Sequence, residues 1–182
     1  GAPVEFRPRG KFTPVNGFRD GGPFKLKAGQ WTDDTSMALC LANSLLTCQG
    51  MNPKDQMDRY LRWVNDGYMS CVGRAVGIGQ TVLRALVRYH DTQDPYQGST
   101  GPKYAGNGCI MRLSPVTIFY HRDAEKAVLN AIDSAKTTHG NPQGQSYPPD
   151  RKLWQLHNSL GWDHRGHTSG LSAPASMAAR PA

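Results

Sequence analysis

This chain of 182 residues contains no long apolar run, and this absence bears on whether the protein spans a membrane. No stretch of about 18 apolar residues occurs, so the sequence predicts no membrane span. The start, residues 1–6, lacks the charged-then-apolar layout of a signal peptide, and its first residue is Gly rather than Met. We therefore expect an internal piece of a longer, cytoplasmic protein.

Large apolar residues are scarce at the end of the chain. Positions 141–182 contain four Leu and no Ile, Val or Phe, while Gly, Ser, Pro and Ala fill 19 of these 42 positions. Such a segment cannot bury enough apolar surface to offset the entropy lost on ordering. The sequence predicts a folded unit at residues 1–140, followed by a polar, disordered tail at 141–182.

Cysteine spacings typical of metal clusters are also absent. The four cysteines, Cys40, Cys48, Cys71 and Cys109, form no Cys-x-x-Cys pair, and this favours reduced, mostly buried thiols over disulfides or a zinc site. The net charge of +7 could suggest a nucleic-acid partner. However, the basic residues are scattered and are not interleaved with aromatic ones, so nucleic acid ranks last among the partners.

Alternating strand patterns are absent too, and apolar residues at helical spacing predict an all-α fold. The expected helices cover residues 37–46, 53–64 after the N-cap Asn52, 78–87, and 124–135 after Asp123. Because apolar residues occur on every face of the first of these helices, we expect it to be buried on every side. Pro115 is expected to end or kink what precedes it, and Gly140 to cap the last helix.

The sharpest local pattern is Thr32-Asp33-Asp34-Thr35 at a predicted helix start. A hydroxyl and two carboxylates supply three of the roughly six oxygen ligands that Mg²⁺ takes. A plain N-cap explains the same residues. Glu5 lies between apolar neighbours, where a partly desolvated carboxylate suits metal ligation or general-base work. An exposed residue at a frayed terminus is the alternative.

Two further positions could contact a phosphate or a sugar. The loop Gly106-Asn107-Gly108 offers backbone amides that suit an anion, although a structural turn would have the same composition. His139 could hydrogen-bond a sugar hydroxyl or act as an acid or base, and it could equally cap a helix.

Taken together and in order, these segments resemble the ADP-ribosylglycohydrolase family, the enzymes related to dinitrogenase reductase-activating glycohydrolase. The resemblance covers about residues 1–140, and its most specific block is Trp31 to Thr35. The matching blocks are Gly1–Phe6, Gly29–Leu39, Gly73 with Ile78–Thr81, Gly106–Gly108 with Met111, Arg112 and Pro115, and Thr138–His139.

The resemblance implies a helical domain whose cleft holds two Mg²⁺ ions against the ribose of ADP-ribose. The implied reaction is hydrolysis of the glycosidic bond between ADP-ribose and a protein side chain or related acceptor, with an ADP-ribosylated protein or an ADP-ribose-containing small molecule as partner. The residues carried over by the resemblance are Thr32, Asp33 and Asp34 as metal ligands, Glu5 and Asp34 as catalytic carboxylates, and Gly106, Asn107, Gly108 and His139 as contacts to ADP-ribose.

Three parts of the family pattern have no counterpart in this sequence. A C-terminal Asp-x-Asp-Thr block is missing, as is a helix ending in Gly-Asp before Gly1, and Gly77 stands where many members carry Asp. Without the second Asp pair, we expect at least one metal to bind weakly or not at all. The alternatives to a hydrolase are a non-catalytic ADP-ribose or nucleotide-binding module and an inactive, crystallin-like relative.

Overall fold

The computed structural model describes residues 2–101, 104 and 106–141. Across these ranges the chain forms five α-helices and no β-strand beyond two isolated bridge pairs, which confirms the prediction of an all-α fold. The predicted tail lies outside the described residues, except for Asn141. The helices are a short 3₁₀ helix at Ala2–Val4, α1 at Asp33–Cys48, α2 at Pro53–Asp66, α3 at Gln80–Thr92, α4 at Ser114–Phe119 and α5 at Ala124–Lys136.

The two helix starts that the sequence marked most clearly are confirmed. Asn52 caps α2, because its Oδ1 accepts the backbone N–H of Asp55 over 3.1 Å, and Pro53 follows it at the first helical position. Asp123 caps α5 in the same way and accepts the N–H of Lys126 over 2.9 Å. Both caps satisfy backbone donors that the first turn of a helix leaves without partners.

The core lies where α1 packs against α2 and α4, while α2 also contacts α3 and α5. Apolar side chains from these helices form two clusters. The first cluster contains Met37, Cys40, Met57, Tyr60, Trp63, Val82, Leu86 and Tyr89, and the second contains Leu41, Leu45, Val116 and Ala131.

The prediction that the first helix is buried on every side is wrong. Leu39 and Leu46 of α1 are 37% and 61% exposed. They lie seven residues apart and therefore on one face of the helix. Most of the helix contacts of α1 are with α2 and α4, and they leave the face of Leu39 and Leu46 exposed.

Two expectations about helix ends are also wrong. Pro115 lies in the first turn of α4 and begins that helix, where its missing N–H costs nothing. The C-cap of α5 is Thr137 rather than Gly140. Gly140 instead lies against the backbone of Gly98, where a Cβ atom would overlap the Gly98 carbonyl.

No helix in the described ranges has the length and apolar character needed to cross a bilayer. No disulfide joins the four cysteines, all of which lie in that same part of the chain: Cys40 and Cys109 are buried, Cys71 is half-buried and Cys48 is exposed.

Candidate active site

The start of α1 is held in place by the loop that follows α2. The backbone N–H of Trp31 donates to Cys71 Sγ over 3.1 Å, and the Trp31 indole Nε1 donates to the carbonyl of Met69 over 3.3 Å. Because Trp31 immediately precedes Thr32, these contacts fix the point at which the acidic residues enter the helix.

Asp33 and Asp34 occupy the first turn of α1, directly after the N-cap Thr32. The side chain of Thr32 makes no capping hydrogen bond to the helix. Its hydroxyl donates instead to Asp34 Oδ2 over 3.4 Å. The plain-cap alternative therefore has no hydrogen bond in its support, and the three oxygen-bearing side chains are grouped at one helix end.

These carboxylates influence one another and Glu5. Burial, together with the nearby charges of Asp34 and Glu5, raises the pKa of Asp33 to about 6. Burial and the charge of Asp34 also raise the pKa of Glu5 above its usual value. Like charges held this close favour either protonation or a neighbouring cation.

Glu5 reaches this position through the 3₁₀ helix Ala2–Val4. That helix rests on Gly22, whose φ of +76° and lack of a side chain allow the backbones to touch. Glu5 is half-buried and lines a groove of about 570 Å³, together with Arg7 and Arg19. Glu5 is therefore not the fully exposed residue that the alternative of a frayed terminus predicts.

Gly77 lies against the carboxylate of Asp33. A Cβ atom at this position would lie 2.5 Å from Asp33 Oδ1 and 3.1 Å from the Thr32 Cβ, and the φ of Gly77 is +84°. Position 77, where many family members carry Asp, is thus part of the acidic site in space, although it lies more than 40 residues from Asp33 in sequence.

The donor set at α1 suits Mg²⁺ in kind, since Mg²⁺ prefers carboxylate and hydroxyl oxygens and often binds proteins through only one or two carboxylates. It does not form a complete ligand shell. Among the described residues, no three His, Cys, Asp or Glu side chains lie close enough together to hold a metal ion. The residues that could contribute oxygen ligands to a Mg²⁺ ion are therefore Asp33, Asp34 and Thr32, with Glu5 nearby.

The loop Gly106-Asn107-Gly108 is seated on the imidazole of His139. A Cβ at Gly106 would lie 3.5 Å from His139 Nε2, and one at Gly108 would lie 3.1 Å from His139 Cε1. Asn107 is exposed, and its carbonyl accepts the N–H of Ile110 over 2.8 Å, which makes this segment a turn. His139 itself is only 2% exposed and supports the loop from beneath.

His139 is linked to a buried cation. Its Nδ1 lies 2.8 Å from Thr138 Oγ1, which also accepts a hydrogen bond from Arg112 Nη2 over 2.8 Å. Burial, with a further contribution from the Arg112 charge, lowers the pKa of His139 to about 4. The imidazole is therefore neutral at physiological pH.

The acidic group and the glycine loop both lie near the N-terminal end of α3. Gly77 contacts Asp33, and five residues later Val82 lies near Gly108, 3.8 Å from where a Cβ would be. Five residues span at most roughly 18 Å even when fully extended. The structure therefore brings residues 32–34 and residues 106–108 close to one helix start.

Several residues of this arrangement were not selected from the sequence. Cys71 and Met69 hold Trp31, yet a thiol and a backbone carbonyl about 40 residues away leave no local pattern. Thr138 was noticed only inside a matching block, and Arg112 allowed two interpretations from the sequence, a phosphate partner or a buried structural residue. A run such as Thr137-Thr138-His139 beside a buried Arg could have signalled a polar network.

The fold and the site together define the class of this protein: an all-α domain with carboxylates grouped at the start of a helix. Residues 1–147 match the family model of the ADP-ribosylglycohydrolases. The chain belongs to the ADP-ribosylglycohydrolase family, and the resemblance inferred from its motifs is confirmed.

Individual relatives agree with this assignment. The ADP-ribosylarginine hydrolase Tri1 of Serratia proteamaculans (strain 568) is 36% identical over 146 residues, covering 80% of this chain and 40% of that protein. The ADP-ribosyl-[dinitrogen reductase] glycohydrolase of Rhodospirillum rubrum is 33% identical over 153 residues, covering 78% of this chain and 47% of that protein. A solved structure described as an ADP-ribosylglycohydrolase-related protein complex has a TM-score of 0.72 and 42% identity, covering 87% of this chain and 50% of that chain. This chain thus spans less than half the length of the two curated relatives.

Proposed function

We propose that this chain carries the ADP-ribose-binding and carboxylate part of a Mg²⁺-dependent ADP-ribosylglycohydrolase. The observation that supports the proposal best is the grouping of Asp33, Asp34 and Thr32 beside Glu5, with the pKa of Asp33 raised to about 6. Repulsion between carboxylates is a cost to the fold, and a bound cation would remove it.

The proposed substrate is a protein bearing ADP-ribose on a side chain. The names of the Serratia and Rhodospirillum relatives support ADP-ribosylarginine and an ADP-ribosylated protein as the first substrates to test. The proposed location is the cytoplasm, since thiols without disulfides are typical of reducing compartments.

In the proposed reaction, a water oxygen bonds to the anomeric carbon of the ribose, the bond from that carbon to the acceptor nitrogen breaks, and the acceptor nitrogen takes up the proton that the base removes from the water. Asp34, which is exposed at the helix start, would orient the water and accept its proton, with Glu5 as the alternative base. Positive charge that develops on the sugar ring would be stabilised by the remaining carboxylates. When bound, Mg²⁺ supplies a positive centre that orients the ribose hydroxyls and lowers the pKa of a nearby water.

The loop 106–108 and the start of α3 would hold the rest of ADP-ribose. Gly79, the N-cap of α3, makes no side-chain capping bond, so backbone donors in the first turn are available to phosphate oxygens. Asn107 is exposed and would add a side-chain amide.

A non-catalytic ADP-ribose-binding module is the second candidate. One observation favours it: the described residues contain no cluster of three metal-binding acidic, His or Cys side chains. Such a module would bind ADP-ribose through the loop 106–108 without turnover.

Calorimetric titration with ADP-ribose, with and without Mg²⁺, combined with mass spectrometry of an ADP-ribosylarginine peptide, tests these functions. For the hydrolase we expect Mg²⁺-dependent binding and release of ADP-ribose. Asp34→Asn should lower turnover roughly 100-fold, whereas the exposed control Asp66→Asn on α2 should leave it unchanged. Metal-independent binding without turnover would establish the module instead, and no binding of ADP-ribose would leave only the inactive, crystallin-like relative.

A further inference from the structure

A buried guanidinium lies at the centre of the contacts that surround His139. Arg112 is fully buried, and its Nη2 donates to the carbonyl of Ser134 over 3.0 Å and to the hydroxyls of Thr137 and Thr138 over 3.2 and 2.8 Å. These acceptors are all neutral. Within the described part of the chain, its Nε and Nη1 find no hydrogen-bond partner. Burying a charged group without a full set of hydrogen-bond partners costs free energy, so we expect Arg112 to have a functional role.

The direction of the hydrogen bonds follows from what each group can do. A guanidinium only donates, so it uses an acceptor lone pair of Thr138 Oγ1. The Thr138 hydroxyl keeps one hydrogen of its own, and the nearby His139 Nδ1, at 2.8 Å, is an acceptor whenever the imidazole carries its proton on Nε2. This arrangement links Arg112 Nη2, the Thr138 hydroxyl and His139 Nδ1 in one chain of hydrogen bonds.

We propose that Arg112 and Thr138 are positioning residues that hold His139 as the neutral Nε2–H tautomer, with Nδ1 accepting the Thr138 hydroxyl, so that the ring forms a fixed seat for the loop 106–108. The inference rests on the proposed function, because that loop is the proposed contact to ADP-ribose.

The contacts on the other edge of the ring explain why its orientation matters. A Cβ at Gly108 would lie 3.2 Å from His139 Nε2 and 3.1 Å from Cε1, so the backbone of the loop passes directly over this edge. A ring that rotated or flipped would push against the loop and displace Asn107. His139 is buried beneath the loop, so in this proposal its orientation affects ADP-ribose binding through the loop 106–108.

Electrostatics support the same arrangement. Burial keeps the imidazole of His139 neutral, and the charge of Arg112 adds to this effect. Tyr60 faces the other side of the guanidinium, with the Arg112 Cζ 4.8 Å from its ring centre, and Gln56 shares the acceptors Ser134 and Thr137 with Arg112. The guanidinium is thereby held between α2 and α5.

The test compares three conservative variants by ¹⁵N NMR of the histidine ring and by calorimetric titration with ADP-ribose. Thr138→Val removes the hydroxyl at nearly constant shape, and Thr138→Ser retains it. Thr137→Val is the matched control, because Thr137 is equally buried and also accepts from Arg112, while its hydroxyl donates to the Ser134 carbonyl.

We expect only Thr138→Val to move the Nδ1 resonance of His139 away from that of a hydrogen-bonded acceptor and to mix the tautomers. ADP-ribose affinity should fall roughly tenfold in this variant, as for the loss of one buried hydrogen bond. Thr138→Ser and Thr137→Val should keep the wild-type spectrum and affinity.

An unchanged His139 tautomer in Thr138→Val would overturn the proposal, and so would an equal loss of affinity in Thr137→Val. The NMR measurement needs no ligand. If the wild-type chain failed to bind ADP-ribose, the proposed function would fail while the tautomer would still decide whether Arg112 and Thr138 position His139.

Discussion

At the residue scale, the acidic site depends on an absent side chain. Asp33 occupies space that any Cβ at position 77 would enter, at 2.5 Å from its Oδ1. Real Cβ atoms do not approach an oxygen this closely, so a side chain at position 77 would force Asp33 into another rotamer or shift the start of α1.

The substitution Gly77→Ala should therefore weaken Mg²⁺ binding by roughly tenfold or more, because it displaces one of two adjacent carboxylate ligands. Gly73→Ala is the matched control. Its φ of +68° imposes similar backbone strain, but nothing lies within 4 Å of a Cβ there. Isothermal titration with Mg²⁺ distinguishes the two, and equal affinities for the two variants would contradict the role assigned to Gly77.

Part of the site was predictable from single residues and part was not. Thr32, Asp33 and Asp34 stood out because three oxygen-bearing side chains are adjacent in sequence, and the structure keeps them together at a helix start. The involvement of Trp31 with Cys71, or of Gly77 with Asp33, depends on contacts across about 40 residues. A single sequence without structure has no signal for such contacts, so the contacts themselves could only be found in the structure.

At the scale of the helices, stability depends on a few local caps. The side chain of Asn52 satisfies the N–H of Asp55, which would otherwise lack a partner at the start of α2. α2 in turn carries Gln56 and Tyr60, which contact the buried network around Arg112.

Replacing this cap should cost measurable stability. Asn52→Ala is expected to lower the free energy of unfolding by about 1 kcal/mol, the usual value of an N-cap. Asn65→Ala changes the same residue type in the exposed last turn of α2 and should leave the stability unchanged or slightly higher. Urea unfolding followed by circular dichroism measures both, and equal midpoints would show that the Asn52 hydrogen bond contributes nothing.

The helices were predictable where their signals act within one turn. Asn52-Pro53 and Asp123 fixed the starts of α2 and α5, because a cap needs only the next three residues. The six-residue α4 was missed, since Pro115 indicates either a helix start or a break. The exposure of Leu39 and Leu46 could not be predicted either, because burial depends on which other elements cover a face.

At the scale of the whole molecule, a buried histidine and a half-buried carboxylate make stability depend on pH in opposite directions. The pKa of His139 is lowered from 6.5 to about 4. Between these values the unfolded chain binds a proton that the folded chain does not, so His139 reduces stability as the pH falls. The pKa of Asp33 is raised from 3.8 to about 6. In that window the folded chain binds the extra proton, so Asp33 increases stability as the pH falls.

A variant that lacks one of these two groups should show the effect of the other on the pH dependence of stability. In Asp33→Asn, stability should decrease as the pH is lowered from 6.5 to 4, by up to about 3 kcal/mol for a fully buried histidine. In His139→Gln, stability should instead increase by a smaller amount over the same range, since Asp33 is only half-buried and partly screened by solvent. Urea unfolding in buffer with a metal chelator, at steps across this range, gives the two slopes. All other titrating groups are common to both variants. If the free energy of unfolding changed with pH by the same sign and size in both, neither the burial of His139 nor the charges near Asp33 would control the pH dependence of stability.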